Sequence, residues 1–214
     1  MSQDLASTAA NRRAPISSND GEGKASMEPP FRLEPWHVGA VVADLEQAIL
    51  EYRMLGAVGF SDAANFDFDT YDAATGDIVR EQLDVVYVEL AAGRGSVELI
   101  CPRNAYGPQA RLLRQRPGLS HTAYWCEEFI QAANWLLDCG AQLVLAPLHG
   151  VPGSHAELAS APLDDVLAAA QTCYLRLRSG GLIELNTVES RLGMPLMWGN
   201  SILDRLPVPQ AWRA

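Results

Sequence analysis

The feature that most constrains this chain is that its second half repeats the pattern of its first. His37-Val-Gly-Ala-Val-Val-Ala-Asp44-Leu-Glu-Gln-Ala48 runs on to Leu55-Gly56-Ala57. His121-Thr-Ala-Tyr-Trp-Cys-Glu-Glu128-Phe-Ile-Gln-Ala132 runs on to Cys139-Gly140-Ala141. Nineteen residues separate the histidine from the glycine in both copies; an acidic residue follows each histidine by seven positions and an alanine by eleven. Further on, Tyr87-Val-Glu-Leu leads into Val97-Glu98-Leu99, and Tyr174-Leu-Arg-Leu leads through Ser179-Gly180-Gly181 into Ile183-Glu184-Leu185. Histidine and glutamate lie 61 residues apart in one copy and 63 in the other. Four matches in the same order indicate a duplicated module.

Local patterns predict the architecture of each copy. A β-rich stretch holds the histidine (Trp36–Val42, Leu119–Cys126), and an acidic residue then opens a helix. Apolar residues recur there at helical spacing: Leu45, Ala48, Ile49, Tyr52 and Leu55 in one helix, and Phe129, Ala132, Ala133, Leu136 and Leu137 in the other. Gly56 and Gly140 fall where a helix end favours glycine, which reaches the left-handed conformation without steric cost. Strands follow, turned back at Ala91–Gly95 and Ser179–Gly181. Each half therefore reads β-α-β-β-β, an α+β fold. The first half carries an acidic, aromatic insert from Phe60 to Asp77, and the second an insert from Leu148 to Ala170. The predicted organisation is a flexible tail over 1–30, a first module and linker over 31–116, a second module over 117–190 and a C-terminal extension over 191–214. Two apolar, proline-bearing segments of that extension, 194–198 and 206–212, would cover the site or a partner subunit.

Composition removes whole classes of function. Sixteen basic against 26 acidic residues give a net charge of −10, which argues against a nucleic-acid binder, since that needs a basic face. No apolar run approaches the roughly 20 residues that span a bilayer, and no secretory pattern opens the chain. Cys101, Cys126, Cys139 and Cys173 lie far apart and read as small buried thiols of a reduced, cytoplasmic protein. His149 and His155, which have no counterpart in the other copy, read as surface residues.

Side chains alternate between the faces of a strand. If the two copies pair about a pseudo-twofold axis, His37, Glu98, His121 and Glu184 meet in one cup. Two imidazoles and two carboxylates suit one divalent ion, Co, Ni, Zn, Mn or Fe. Both glutamates sit among apolar neighbours, where an unpaired carboxylate is costly.

These motifs resemble the vicinal oxygen chelate superfamily, which includes glyoxalase I, methylmalonyl-CoA epimerase, extradiol dioxygenases and bleomycin-resistance proteins. The resemblance spans roughly residues 34–188. It implies two βαβββ modules pairing into an eight-stranded, cup-shaped mixed sheet around a metal, with His37, Glu98, His121 and Glu184 in the ligand places of glyoxalase I. Arg80-Glu81-Gln82 before Val85-Val86-Tyr87-Val88, and the Gly107–Leu113 linker, look closer to the epimerase. The epimerase's second catalytic glutamate would fall near Val85 or Val86, with Asp84 the nearest replacement. The resemblance thus implies a metal-dependent isomerase or epimerase that removes a proton beside a carbonyl, with Glu184, then Glu98, then Asp84 as base. A glyoxalase-like lyase, an Fe(II) ring-opening dioxygenase and a metal-free small-molecule binder are the alternatives. Arg103 and Arg111, within an arginine cluster that includes Arg114 and Arg116, and Tyr87 and Tyr174 are the expected substrate contacts, although the aromatic residues also suit the core. The expected partner is a small carboxylate, acyl-CoA or ketone, with a homodimer among the assemblies the sequence allows.

Overall fold

The computed structural model describes residues 28–91, 95–188 and 190; the expected tail up to residue 27 and the extension over 191–214 lie outside them. The first half runs through β1 (Glu34–Val41), α1 (Leu45–Met54), β2 (Gly59–Phe60), β3 (Ala64–Asp72), β4 (Asp77–Ala91) and β5 (Gly95–Pro102). Helix α2 (Pro108–Gln115) leads to β6 (Gly118–Cys126), α3 (Phe129–Asp138) and β7 (Gln142–Pro147). A short 3-10 turn (Ala156–Ser160) and α4 (Leu163–Ala169) precede β8 (Thr172–Arg176) and β9 (Leu182–Thr187).

The helix signals act as expected, with one difference. Asp44 caps α1 by accepting from the Gln47 backbone N–H at 2.9 Å, whereas Glu128 occupies the same place before α3 without a side-chain cap bond. Gly56 and Gly140 follow the helix ends with φ of +88° and +90°, a conformation that favours glycine.

The strands form one mixed sheet in the order β2-β4-β3-β7-β8-β9-β6-β1-β5, and β5 also pairs with β4. Eight strands therefore close into a ring, while β2 extends along the β4 edge already used by β3. The halves meet twice, at β1–β6 and at β3–β7, both antiparallel. The second junction corrects the reading of Phe60–Asp77 as an insert: most of it is β3, which pairs with β4 over nine residues and with β7 at Thr70–Asp72. Its alternation of Phe66 and Phe68 with Asp67 and Asp69 is that of a strand with one apolar face.

Three apolar clusters follow from that closure. Trp36, Val41, Leu83, Val85, Tyr87, Ile100, Trp125, Leu145 and Tyr174 fill the ring's interior with Leu112 of α2. One cluster lies under α1, and another under α3 and α4. Cys126 and Cys173 are buried as expected, but Cys101 is only partly covered and Cys139 is exposed. His149 is exposed. His155 is only partly exposed and is tied down: its Nδ1 lies 2.9 Å from Asp69 Oδ2, its Nε2 lies 3.0 Å from the His149 carbonyl, and the side chain is 12% exposed.

Candidate metal centre

Each histidine stands at an irregularity in the β1–β6 ladder. Pro35 pairs with Tyr124 and Val38 with Thr122, so Trp36 and His37 together face the single residue Ala123. Gly39 pairs with His121 and Ala40 with Leu119, so Ser120 is the extra residue on β6. A bulge of this kind re-aims a side chain; His37 lies within one, and His121 directly follows the other. The glutamates arrive by simple alternation. On β5, Val97 and Leu99 pack under α1 while Glu98 faces inward; on β9, Ile183 and Leu185 pack under the helices of the second half while Glu184 faces inward.

The four side chains offer donor atoms that all lie within 4.8 Å of one another, and all four residues are buried. His37 Nε2 lies 3.2 Å from Glu98 Oε2 and 3.4 Å from Glu184 Oε2. His121 Nε2 lies 3.5 Å and 2.8 Å from the same two atoms. None of these four inward atoms has an aligned hydrogen bond among the described residues. Their outer partners are different. The Tyr87 hydroxyl donates to Glu98 Oε1 at 2.6 Å, the Tyr174 ring lies 4.9 Å from that of His121, and Ser120 Oγ lies 2.9 Å from His121 Nδ1.

Burial pulls the His121 pKa down, but Glu184 and Glu98 outweigh it and hold the ring at about 9. The same opposition raises His37. Burial pushes Glu98 and Glu184 up, and the imidazoles override it to leave both carboxyls below their usual range. Burial, and then the nearby carboxylates, hold the Tyr87 and Tyr174 hydroxyls well above 10, so both remain donors. Buried polar atoms without hydrogen bonds are rare because each costs its lost hydration. Two imidazole nitrogens and two carboxylate oxygens converging in that state form a donor set suited to a divalent cation.

The other expected site residues lie elsewhere. Asp84 is corrected as a catalytic candidate: three residues from Tyr87, it falls on the opposite face of β4. There it pairs with Arg103 at 3.1 Å and accepts from Asn65 at 2.6 Å. Arg103 is thereby held outside the ring, also donating to the Phe66 carbonyl. Arg111 makes a bidentate pair with the buried Asp72, at 2.7 and 2.6 Å. Both guanidinium groups expected to meet substrate are thus occupied by carboxylates of the fold. Tyr87 and Tyr174 do reach the centre, Tyr87 through its hydroxyl on Glu98 and Tyr174 through its ring, 4.9 Å from that of His121.

Sequence reasoning missed three residues. Gly39 leaves room for His121, since a Cβ there would overlap the imidazole ring. Ser120 touches His121 from behind. Glu81 lies on the inner face of β4, fully buried, and accepts from the Gln109 backbone N–H of α2 at 2.8 Å. The signals were present, as Gly39 and Ser120 flank the histidine positions and Glu81 shares the parity of Tyr87.

A family model described as the Glyoxalase/Bleomycin resistance protein/Dioxygenase superfamily matches residues 36–156. That stretch holds His37, Glu98 and His121. No curated protein matches the chain. Among solved structures, methylmalonyl-CoA epimerase from Mycobacterium tuberculosis is 20% identical, with 72% of this chain and 87% of that chain covered and a TM-score of 0.42. A hypothetical protein from Bacillus halodurans C-125 is 18% identical, covering 74% and 94%, with a TM-score of 0.43. A variant of 4-hydroxymandelate synthase from Streptomyces coelicolor is 17% identical, covering 73% of this chain and 49% of that one, with a TM-score of 0.44.

Proposed function

This chain belongs to the Glyoxalase/Bleomycin resistance protein/Dioxygenase superfamily, and on that premise we propose that it is a metal-dependent isomerase or epimerase. The reading has His37, Glu98, His121 and Glu184 hold one divalent ion, Co, Ni, Zn, Mn or Fe. The single observation that carries it is the convergence of four buried donor atoms, none with an aligned hydrogen bond of its own. When bound, such an ion supplies Lewis acidity that stabilises the negative charge of an enolate, typically by several kcal/mol.

The chain's own residues do the rest. Glu184 removes the proton beside the substrate carbonyl, with Glu98 as the second choice of base; reprotonation of the enolate by a second acid on the opposite face gives the epimer, and return of the proton by the same base to the adjacent carbon gives the isomer. The Tyr87 hydroxyl holds the outer oxygen of Glu98, and so fixes which of its oxygens faces the centre. Trp36, stacked on Trp125 at 4.1 Å, and Leu145 exclude water around it. With Arg103 and Arg111 committed to Asp84 and Asp72, a small ketone or carboxylate suits the site better than the phosphates of an acyl-CoA. The four-residue donor set disfavours a ring-opening dioxygenase, which uses two histidines and one carboxylate and leaves further positions open.

Elemental analysis of the purified protein beside His121→Ala and Glu184→Ala tests the reading. About one divalent ion per chain, lost in both variants, is the expected result, followed by exchange of a substrate C–H with deuterated solvent. A wild type that takes up no metal after reloading overturns it.

A further inference from the structure

The two imidazoles of the centre are held by different means. His37 follows Trp36, whose ring lies 4.1 Å from its own, and Tyr87 packs at 5.3 Å. Its Nδ1 has no hydrogen-bond partner among the described residues. His121 instead follows Ser120, the bulged residue of β6. Ser120 Oγ lies 2.9 Å from His121 Nδ1 and 3.2 Å from the Gly39 carbonyl across the ladder. A hydroxyl carries one hydrogen, and a carbonyl can only accept. With that hydrogen given to Gly39, Oγ is left to accept, and only a protonated Nδ1 can donate to it.

We infer that Ser120 is a positioning residue that keeps the proton of His121 on Nδ1 and so commits the Nε2 lone pair to the metal. The inference rests on the metal-binding reading above and adds what that reading lacks, a reason for His121 to present one nitrogen. Partners behind a metal-ligating histidine fix its tautomer and ring orientation. Gly39 takes part twice, giving the carbonyl that orients the hydroxyl and the missing side chain that admits the ring. Among the described residues no such relay stands behind His37, so the pseudo-symmetric ligands are chemically unequal.

The test is zinc affinity, by competition with a chromophoric chelator, in wild type, Ser120→Ala, Ser120→Thr and Ser120→Val. Threonine and valine have nearly the same shape and differ in the hydroxyl, so their comparison separates hydrogen bonding from packing even where the alanine variant folds poorly. Removal of an outer partner is expected to weaken binding about 10- to 100-fold, in Ser120→Ala and Ser120→Val alike, with Ser120→Thr close to wild type. In zinc-loaded protein labelled with 15N-histidine, a slowly exchanging His121 Nδ1–H signal is expected in wild type and Ser120→Thr and lost in the other two. Equal affinity and equal signals for the threonine and valine variants overturn the role of Ser120 while leaving the metal site standing. A wild type without zinc affinity overturns the metal-binding reading, and this inference with it.

Discussion

Burial pushes the Glu81 carboxyl up to about 7 against an ordinary 4.5, because water cannot reach it and Asp72 adds a second negative charge nearby. One oxygen accepts from the start of α2, while the other has no hydrogen bond among the described residues. The folded chain therefore keeps a proton that the unfolded chain releases between pH 4.5 and 7. Stability must fall as pH rises through that window, by about 3 kcal/mol in all, and stay flat above it. Glu81→Gln keeps the acceptor for Gln109 and removes the charge. Urea unfolding in the presence of chelator should give the variant a higher free energy than wild type at pH 8 and a smaller difference at pH 5. Parallel pH profiles for the two proteins would contradict this account. At the same scale, Gly39→Ala places a methyl group in the volume of the His121 ring. Its expected outcome is loss of bound metal with the far-ultraviolet circular dichroism retained.

Helix α2 shows how the helix that links the two halves is fastened. Its start is bonded to Glu81 on β4, and its Arg111 grips Asp72 at the end of β3. Gly107 precedes it with φ of +102°, and a Cβ there would press on the Glu81 carboxylate. Two arginines that look alike in sequence should then behave differently. Arg111→Ala leaves the buried Asp72 carboxylate with the Ala74 N–H but without its counter-charge, and is expected to cost about 3 kcal/mol. Arg103→Ala breaks a pair with partners 39% and 30% exposed, a contact typically worth below about 1 kcal/mol. Chemical denaturation of both variants distinguishes them, and equal losses would refute the assignment of Arg111 to the fold.

For the whole molecule, closure matters more than the number of strands. The halves share the ladders β1–β6 and β3–β7, and the candidate metal centre draws one histidine and one glutamate from each. Neither half completes the interior alone, since Trp36 of the first stacks on Trp125 of the second. Thermal unfolding should accordingly be a single transition, with tryptophan fluorescence and circular dichroism coincident. Metal bound only to the folded chain adds stability by mass action, about 4 kcal/mol at a thousandfold excess over Kd. Stripping with chelator should lower the midpoint without splitting the transition. Two separated transitions would show that the halves fold independently.

What the sequence determined by itself is whatever depends on local spacing. The duplicated order of strands and helices, the Asp44 cap, the glycines after α1 and α3, and the inward alternation of Glu98 and Glu184 all arise within a few residues of chain. The four-residue centre was legible because duplication placed the same two residue types on equivalent strands. The outward direction of Asp84 follows from the same period of two, which puts positions 84 and 87 on opposite faces, although the family resemblance makes it a candidate base. Only the tertiary structure decided the β3–β7 closure, the bulges beside His37 and Ser120, and the pairings Arg111–Asp72 and His155–Asp69, whose partners lie 39 and 86 residues apart. Partner choice at such separations depends on ladder register and ring closure, and neither leaves a periodic trace in the chain.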